Sequence, residues 1–302
     1  MHSFLPVGAL LLNAFVWGVS WWPFRFLHDR GLHPLWATAL MYVLAVATLL
    51  VLRPQALTLA RRHPALWLLA LATGLTNVAF NWAVTVGDVV RVVLLFYLMP
   101  AWSVLLAWRV LGDVPTRMGM ARLVLAFAGV VLVILPAGTG LAQLSQLASG
   151  LSGADLLALV GGFTFALVNV TLRRLYRVPG EARMLAMFGG GALMATLSAS
   201  AGMAAGIVAA PPALAPAWVA VALGLTLAFL LGNYALQYGA ARLAAGTTAL
   251  VMLSEVLFAS VSSWWLDAAE LAPRTLAGGA LIVLAALLAT LPARRSHATR
   301  NL

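Results

Sequence analysis

One acidic side chain stands inside a long apolar stretch, where a charge is costly. Glu255 lies near the middle of the apolar run 245–266. A charge at the centre of a bilayer costs about 2.5 kcal/mol or more, so such a group faces a cavity, finds a partner or stays protonated. Glu255 is therefore a candidate site for a substrate amine or a proton. The alternative is a carboxyl that fixes the packing of neighbouring helices.

Four amide side chains recur with the same spacing in two apolar runs. Asn77 and Asn81 are four residues apart, and Asn233 and Gln237 repeat this pair 156 residues further along. Residues four apart share one helical face. Amides both donate and accept hydrogen bonds, which suits a polar or zwitterionic solute. We expect the two pairs to face each other across a cavity; the alternative is hydrogen bonding between helices.

A basic residue opens another apolar run. Arg91 follows Asp88 by three residues and could hold a substrate carboxylate with two hydrogen bonds. Alternatively, Arg91 pairs with Asp88 one helical turn away or extends to the lipid headgroups.

Aromatic residues deep in the apolar runs could stack on an apolar or aromatic solute, or they could pack the core. The aromatic candidates for substrate contact are Trp17, Tyr97, Trp102 and Phe165.

The elements that position these residues follow from composition. Of the 302 residues, 63% are hydrophobic and only 9% are charged, whereas soluble domains are roughly one-quarter charged. Lipid is therefore the expected solvent, and long apolar runs without alternation favour helices over a barrel. A crossing needs about 20 apolar residues. Ten predicted transmembrane helices cover 5–24, 34–52, 65–86, 89–111, 119–136, 153–173, 184–208, 215–238, 245–266 and 274–292.

The basic residues indicate the orientation of these helices. All 18 are arginines. With the N-terminus inside and ten crossings, 14 of the 18 fall on the cytoplasmic side, as the positive-inside rule requires. We expect both termini in the cytoplasm. Because the arginines flank apolar runs rather than forming one basic surface, we expect no nucleic-acid partner.

The two halves of the chain resemble each other. Besides the amide pairs, Trp17-Gly18 with Arg25 matches Phe165-Ala166 with Arg173, 148 residues later. Five helices are an odd number, so the second copy must enter the membrane from the opposite face. The predicted fold is all-α, with two inverted five-helix repeats at 1–150 and 151–302.

Short motifs spread over nearly the whole chain are typical of one protein family. They are Trp17-Gly18, Pro100, Gly112-Asp113, Asp155, Phe165-Ala166, Ser254-Glu255, Asp267 to Glu270 and Gly278 to Ile282. With these motifs the sequence resembles the EamA-type branch of the drug/metabolite transporter superfamily. The resemblance implies an inner-membrane protein of bacteria with ten helices, which moves small metabolites through a central cavity. Amino-acid exporters, including the YddG type, are one branch.

Enzyme function is not expected. There is no Cys, the five His residues lie at termini or in short connectors, and no glycine-rich phosphate loop occurs. We therefore expect no cofactor or metal. The predicted function is export of small amphipathic metabolites, most of all amino acids, by alternating access, with protons as the coupling ion if transport is active. The alternatives are a flippase or exporter for lipid-linked or drug-like molecules, and a membrane scaffold that transports nothing.

Overall fold

The computed structural model describes residues 4–106, 108–109, 117–134, 150–240, 242, 251–252, 254–268 and 272–290. All regular secondary structure in these ranges is helical, and they contain no strand. The prediction of an all-α protein is confirmed. The helices are α1 Phe4–Val19, α2 Trp21–Asp29, α3 Pro34–Leu52, α4 Gln55–Arg61, α5 Leu66–Val86, α6 Val89–Phe96, α7 Met99–Leu106, α8 Arg117–Ile134, α9 Gly153–Arg174, α10 Gly180–Ala204, α11 Pro216–Ala240, α12 Ser254–Trp265 and α13 Pro273–Thr290.

Seven helical segments within the described ranges are long and apolar enough to cross a membrane. They match the first four predicted runs and the sixth to eighth. The other three predicted runs, 119–136, 245–266 and 274–292, reach into residues outside the described ranges, and their described parts form α8, α12 and α13. The seven segments are Leu5–Asp29, Pro34–Leu52, Leu66–Val86, Val89–Leu106, Gly153–Leu172, Gly180–Ala204 and Pro216–Leu236.

The fourth predicted run is interrupted. The sequence predicts one helix over 89–111, but α6 ends at Phe96 and α7 begins at Met99. Proline has no backbone N–H, so Pro100 cannot bond the carbonyl of the residue four positions earlier, which is Phe96. The interruption leaves Tyr97 at the junction of the two segments, where its side chain is buried.

The helix pairs that pack together involve both halves of the chain. Helix α1 packs on α11 and α12, and α9 packs on α5, α6 and α7. Helix α3 packs on α10 and α11, α10 also packs on α5, and α8 packs on α13. These packed helix pairs all join the first half of the chain to the second.

A close contact between α5 and α10 depends on glycine. A Cβ atom added at Gly190 of α10 would lie 2.7 Å from the Cα atom of Ala70 on α5, well inside the usual 3.5–4.0 Å between carbon atoms. Small residues let membrane helices approach in this way.

Large apolar side chains point outward while several polar ones are buried. Trp67, Leu197 and Leu227 are exposed, whereas Asn81 and Glu255 are buried. In water this arrangement would be unfavourable, but it is the expected one where lipid is the solvent.

Candidate functional site

The centre of the candidate site is a hydrogen bond between the two halves. Glu255 lies in the first turn of α12 and is only 6% exposed. The hydroxyl of Tyr97 donates to Glu255 Oε2 at 2.8 Å and also lies 3.0 Å from the carbonyl oxygen of Met252. A buried carboxyl needs such a partner, because burying an unpaired polar group is unfavourable. The interruption between α6 and α7 thus brings Tyr97 to Glu255.

A glycine brings α1 to the same place. A Cβ atom at Gly18 would lie 2.8 Å from the backbone oxygen of Glu255 and 2.7 Å from Cβ of Phe258. Only a residue without a side chain allows the two backbones to come this close. The Trp17-Gly18 and Ser254-Glu255 motifs, far apart in sequence, therefore meet at the contact of α1 with α12.

A connected set of rings, which we call the aromatic band, joins several helices of both halves. The Trp17 ring lies 4.4 Å from that of Phe229 and 5.9 Å from that of Phe80, both edge to face. Phe96 continues the band, 4.7 Å from Phe80 and 5.5 Å from Phe165. Such pairs contribute about 0.5–1.5 kcal/mol each, so these rings pack the core. Substrate contact by Trp17 and Phe165 stays a prediction. The aromatic band consists of Trp17, Phe80, Phe96, Tyr97, Phe165 and Phe229.

The two amides of the first half bond to α3. Tyr42 donates its hydroxyl hydrogen to Asn77 Oδ1, and Asn77 Nδ2 donates to the carbonyl of Thr73 at 2.8 Å. Asn81 Nδ2 donates to Thr38 Oγ1 at 3.1 Å, while its Oδ1 is buried without a partner among the described residues. The hydrogen bonds to Tyr42 and Thr38 join α5 to α3, as expected if the amides bond between helices.

The structure describes the side chain of one of the two amides of the second half. Asn233 is half-buried and donates to the carbonyl of Phe229 in its own helix at 3.1 Å. The side chain of Gln237 lies outside the part that the structure describes. Cavity lining by the four amides therefore stays a prediction.

Arg91 is held in an ion pair, but not with Asp88. Its Nε donates to Asp155 Oδ1 at 2.8 Å and its Nη2 to Oδ2 at 2.9 Å. It also donates to the carbonyls of Val133 at 2.9 Å and Gly150 at 2.7 Å. Asp88 lies beside Arg91 as expected, but its Oδ1 accepts from the backbone N–H of Arg91 at 2.7 Å and caps α6, while the guanidinium group bonds to Asp155. A carboxylate ligand at Arg91 would have to compete with Asp155.

Trp102 forms a separate group of rings. Its ring lies 5.8 Å from Phe127 and 5.6 Å from Phe163, both edge to face. Its Nε1 is buried and has no acceptor among the described residues. No ring contact in that part of the chain joins Trp102 to the aromatic band. Substrate contact by Trp102 stays a prediction.

Sequence reasoning missed one polar residue at this site. Asn13 of α1 is 1% exposed, and its Nδ2 lies 3.5 Å from the sulfur of Met252. Met252 also offers its carbonyl oxygen to Tyr97, so Asn13 lies one residue away from the Tyr97–Glu255 pair. The signal was present, since Asn13 is the polar residue within Leu10 to Phe15, and polar residues at membrane depth are functional candidates.

The site can accept hydrogen bonds and a positive charge. Its polar atoms are a carboxyl, a hydroxyl, an amide and a thioether, with no basic side chain hydrogen-bonded to them in the described ranges. The described residues contain no group of three His, Cys, Asp or Glu that could hold a metal. An amine or a proton fits this donor and acceptor set.

The first part of the chain is similar to a known family. Residues 5–135 match the EamA-like transporter family. This part of the chain is EamA-like. The predicted resemblance is confirmed over these residues, and a membrane transporter fits both the match and the helical fold. The matched residues include Trp17 and Gly18, which bring α1 to Glu255.

The fold of the whole chain is also found among solved structures. Fourteen chains of solved structures match. One of them, titled "Crystal structure of protein", is 18% identical over 95% of this chain and 96% of its own, with a TM-score of 0.60. At this identity the likeness shows the fold alone. No curated protein matches the chain.

Proposed function

We propose that this EamA-like transporter exports small amphipathic metabolites, most of all amino acids, by alternating access of its two halves. The observation that carries the proposal is the buried Glu255 beside Tyr97, at the contact of α1, α6 and α12. A buried carboxyl without a basic partner is costly in a membrane. A role in substrate binding or proton transfer would explain why a carboxyl stands at this position despite the cost.

The helix contacts support two equivalent halves. In the predicted halves, 1–150 and 151–302, α1 corresponds to α9 and α5 corresponds to α11. The contact of α1 with α11 is therefore equivalent to the contact of α9 with α5. Likewise, α12 corresponds to α6 and α7 together, so the contact of α1 with α12 is equivalent to that of α9 with α6 and α7. Helix α3 corresponds to α10, so the contact of α3 with α11 is equivalent to that of α10 with α5. The family match, over residues 5–135, ends near the predicted boundary. Two inverted five-helix repeats would produce this pattern and would rock about a central site.

Glu255 is the residue to which we assign the amine or the proton. Asp155, the other buried acid in the described ranges, is paired with Arg91. Glu181 is near Arg53 at the surface. Glu255 is therefore the buried acid without a basic partner in the described ranges, and we assign to it the exchange of a proton or an ammonium group between states.

The orientation follows from the arginines. Fourteen of the 18 lie on the cytoplasmic side if ten helices cross with both ends inside. We propose a multi-pass protein of the bacterial inner membrane with cytoplasmic termini. Aromatic and branched solutes suit the aromatic band that borders the carboxyl.

Transport by reconstituted protein tests the proposal. Proteoliposomes loaded with unlabelled amino acids should accumulate labelled phenylalanine or leucine by exchange, and an inward proton gradient should change the rate. Glu255→Gln should abolish the response to pH, because its side chain cannot exchange a proton. Glu181→Gln is the matched control, since it removes an acid at the surface.

The outcomes separate the candidate functions. Full pH-dependent transport by Glu255→Gln would remove the role of Glu255. Movement of labelled lipid without competition by free amino acids would identify a flippase. Absence of transport for all solutes would favour a scaffold.

A further inference from the structure

The first turn of α3 is capped by a histidine. The backbone N–H of Leu35 donates to His33 Nδ1 at 3.2 Å, and Pro34 opens the helix. An imidazole nitrogen can accept a hydrogen bond only when it carries no hydrogen. The capping ring is therefore neutral, with its one hydrogen on Nε2. A second proton would have to bind Nδ1, where it would point at the Leu35 N–H and end the hydrogen bond.

The capping ring packs against two other rings. Its centroid lies 5.1 Å from that of Trp82 on α5 and 6.3 Å from that of His28 on α2, both edge to face. Burial, and to a smaller extent the nearby His28, lower the pKa of His33 below 6.5. The surroundings and the hydrogen bond to Leu35 thus favour the same neutral form.

The charged residues close to His33 in sequence have other partners. On α2, Asp29 interacts electrostatically with Arg25, and the guanidinium of Arg30 lies 3.4 Å from the centroid of the Phe26 ring. The connector 205–215, which follows α10, has no titratable side chain. His28 is therefore the titratable group that acts on His33 within the part of the chain that the structure describes.

The capped turn holds α3 against two neighbouring helices. Leu35 is 1% exposed and belongs to one apolar cluster with Val78 of α5 and Ala199 of α10. In the same turn, Trp36 donates from Nε1 to the carbonyl of Ala209 at 3.1 Å. A change at the cap would therefore loosen the packing of α3 on both helices.

The same ring contact leads to a cavity. Trp82, which packs on His33, lines a cavity of about 980 Å³ together with Asp88, Arg91 and Asp155. A shift of the His33 ring would change the position of this aromatic wall.

We propose that His33 is a pH-sensitive cap, which holds the first turn of α3 while the imidazole is neutral and releases this turn when acid protonates the ring. Protonation removes the acceptor of the Leu35 N–H and places a charge between Trp82 and His28. The inference goes beyond the proposed function and does not require transport. In the proposed orientation the connector between α2 and α3 faces outward, so the cap would respond to the pH outside the cytoplasm.

The sign of the effect follows from the lowered pKa. The stability that the cap contributes is fully present above pH 6.5, the ordinary pKa of histidine, and is lost as the pH falls through the lowered value. Losing a helix N-cap changes the folding equilibrium constant about fivefold. We therefore expect a loss of about fivefold in acid.

Replacement by asparagine separates capping from titration, because asparagine is a preferred N-cap that does not titrate. Unfolding of the full chain in detergent is followed at several pH values between about 7.5 and 5 for wild type, His33→Asn and His28→Asn. Relative to His33→Asn, wild type should lose about fivefold in its folding equilibrium constant as the pH falls. The control His28→Asn should keep this loss, at an equal or slightly higher pH.

Two further measurements locate the effect. Hydrogen exchange, corrected for its intrinsic dependence on pH, should show loss of protection at Leu35 in acid for wild type but not for His33→Asn. Nuclear magnetic resonance of the wild-type histidines follows the His33 ring directly, even if the variant does not fold.

The inference is overturned if wild type and folded His33→Asn have the same pH profile, or if the His33 ring titrates at or above pH 6.5. None of these measurements involves a solute. A failure of the proposed transport would therefore leave this result unchanged, and a failure of the cap would leave the proposed transport unchanged.

Discussion

Substitutions in the ion pair of Arg91 with Asp155 can distinguish a structural role of Arg91 from a role in substrate binding. Asp155 is 2% exposed and Arg91 is 24% exposed. Asp155 also accepts from the backbone N–H of Ser152 at 2.8 Å, which closes a capping box at the start of α9. We consider Arg91→Gln, Asp155→Asn and the variant with both changes. The pair joins α6 to α9, and hence the first predicted half to the second.

The magnitude follows from burial and geometry. Removing one partner of a buried ion pair is destabilising by about 3–5 kcal/mol, because the other charge remains buried. Arg91→Gln should therefore lower the free energy of unfolding by about that amount. The double variant leaves no buried charge, so its loss should be smaller than the sum of the two single losses by about 1–3 kcal/mol.

The assay is unfolding in mixed micelles of detergent and sodium dodecyl sulfate, followed by tryptophan fluorescence. Arg53→Gln is the control, since the Arg53–Glu181 pair spans 3.7 Å and its arginine is 61% exposed; such pairs contribute about 0–1 kcal/mol. Equal stability of Arg91→Gln and wild type, together with a raised KM for anionic solutes alone, would refute the reasoning. Arg91 would then be a substrate ligand.

Three further substitutions test the packing and capping of the helices by thermal unfolding in detergent. Gly190→Ala should destabilise the protein by about 1–3 kcal/mol, because the added Cβ meets the backbone of α5. The neighbouring Gly189→Ala is the control: its added Cβ has no atom within 4 Å, so it should be neutral or stabilising by up to about 1 kcal/mol. Equal effects of the two substitutions would contradict the contact at Gly190. Asp88→Ala should cost about 1 kcal/mol through loss of the α6 cap, while Asp88→Asn keeps it. Burial raises the pKa of Asp88 above 3.8, so native stability should fall as the pH rises from 3.8 through the raised value, and Asp88→Asn should remove that dependence; an unchanged pH profile would exclude Asp88 as its source. Tyr42→Phe should cost about 1 kcal/mol by leaving Asn77 Oδ1 without its donor, and no loss would show that water replaces it.

Several features of the candidate site were predictable from local sequence. Glu255 was singled out by its position in an apolar run, and the structure buries it. The interruption of the fourth run was missed, although Pro100 marks it, because hydropathy averaged over a window does not register a missing N–H donor. Asn13 was also missed, since one amide hardly changes the hydropathy of its run.

The partner of each polar group was not predictable in the same way. Sequence spacing favoured Asp88 as the partner of Arg91, but the carboxylate that binds it is 64 residues away. Tyr97 and Glu255 are 158 residues apart, and nothing in either segment indicates the other. Asn77 and Asn81 were expected to face a cavity or to bond between helices, and their spacing did not indicate that Tyr42 and Thr38 of α3 are their hydrogen-bond partners.

The sequence by itself determined that lipid is the solvent, that the chain is helical, and where the apolar segments lie. These properties follow from composition over about 20 neighbouring residues, because each segment must satisfy its own backbone hydrogen bonds in hydrocarbon. The tertiary structure alone decided that α1, α6 and α12 meet, and that Tyr97 and Asn13 lie near Glu255. Which faces of two helices come together depends on side-chain shape across the whole bundle, such as the missing side chains at Gly18 and Gly190.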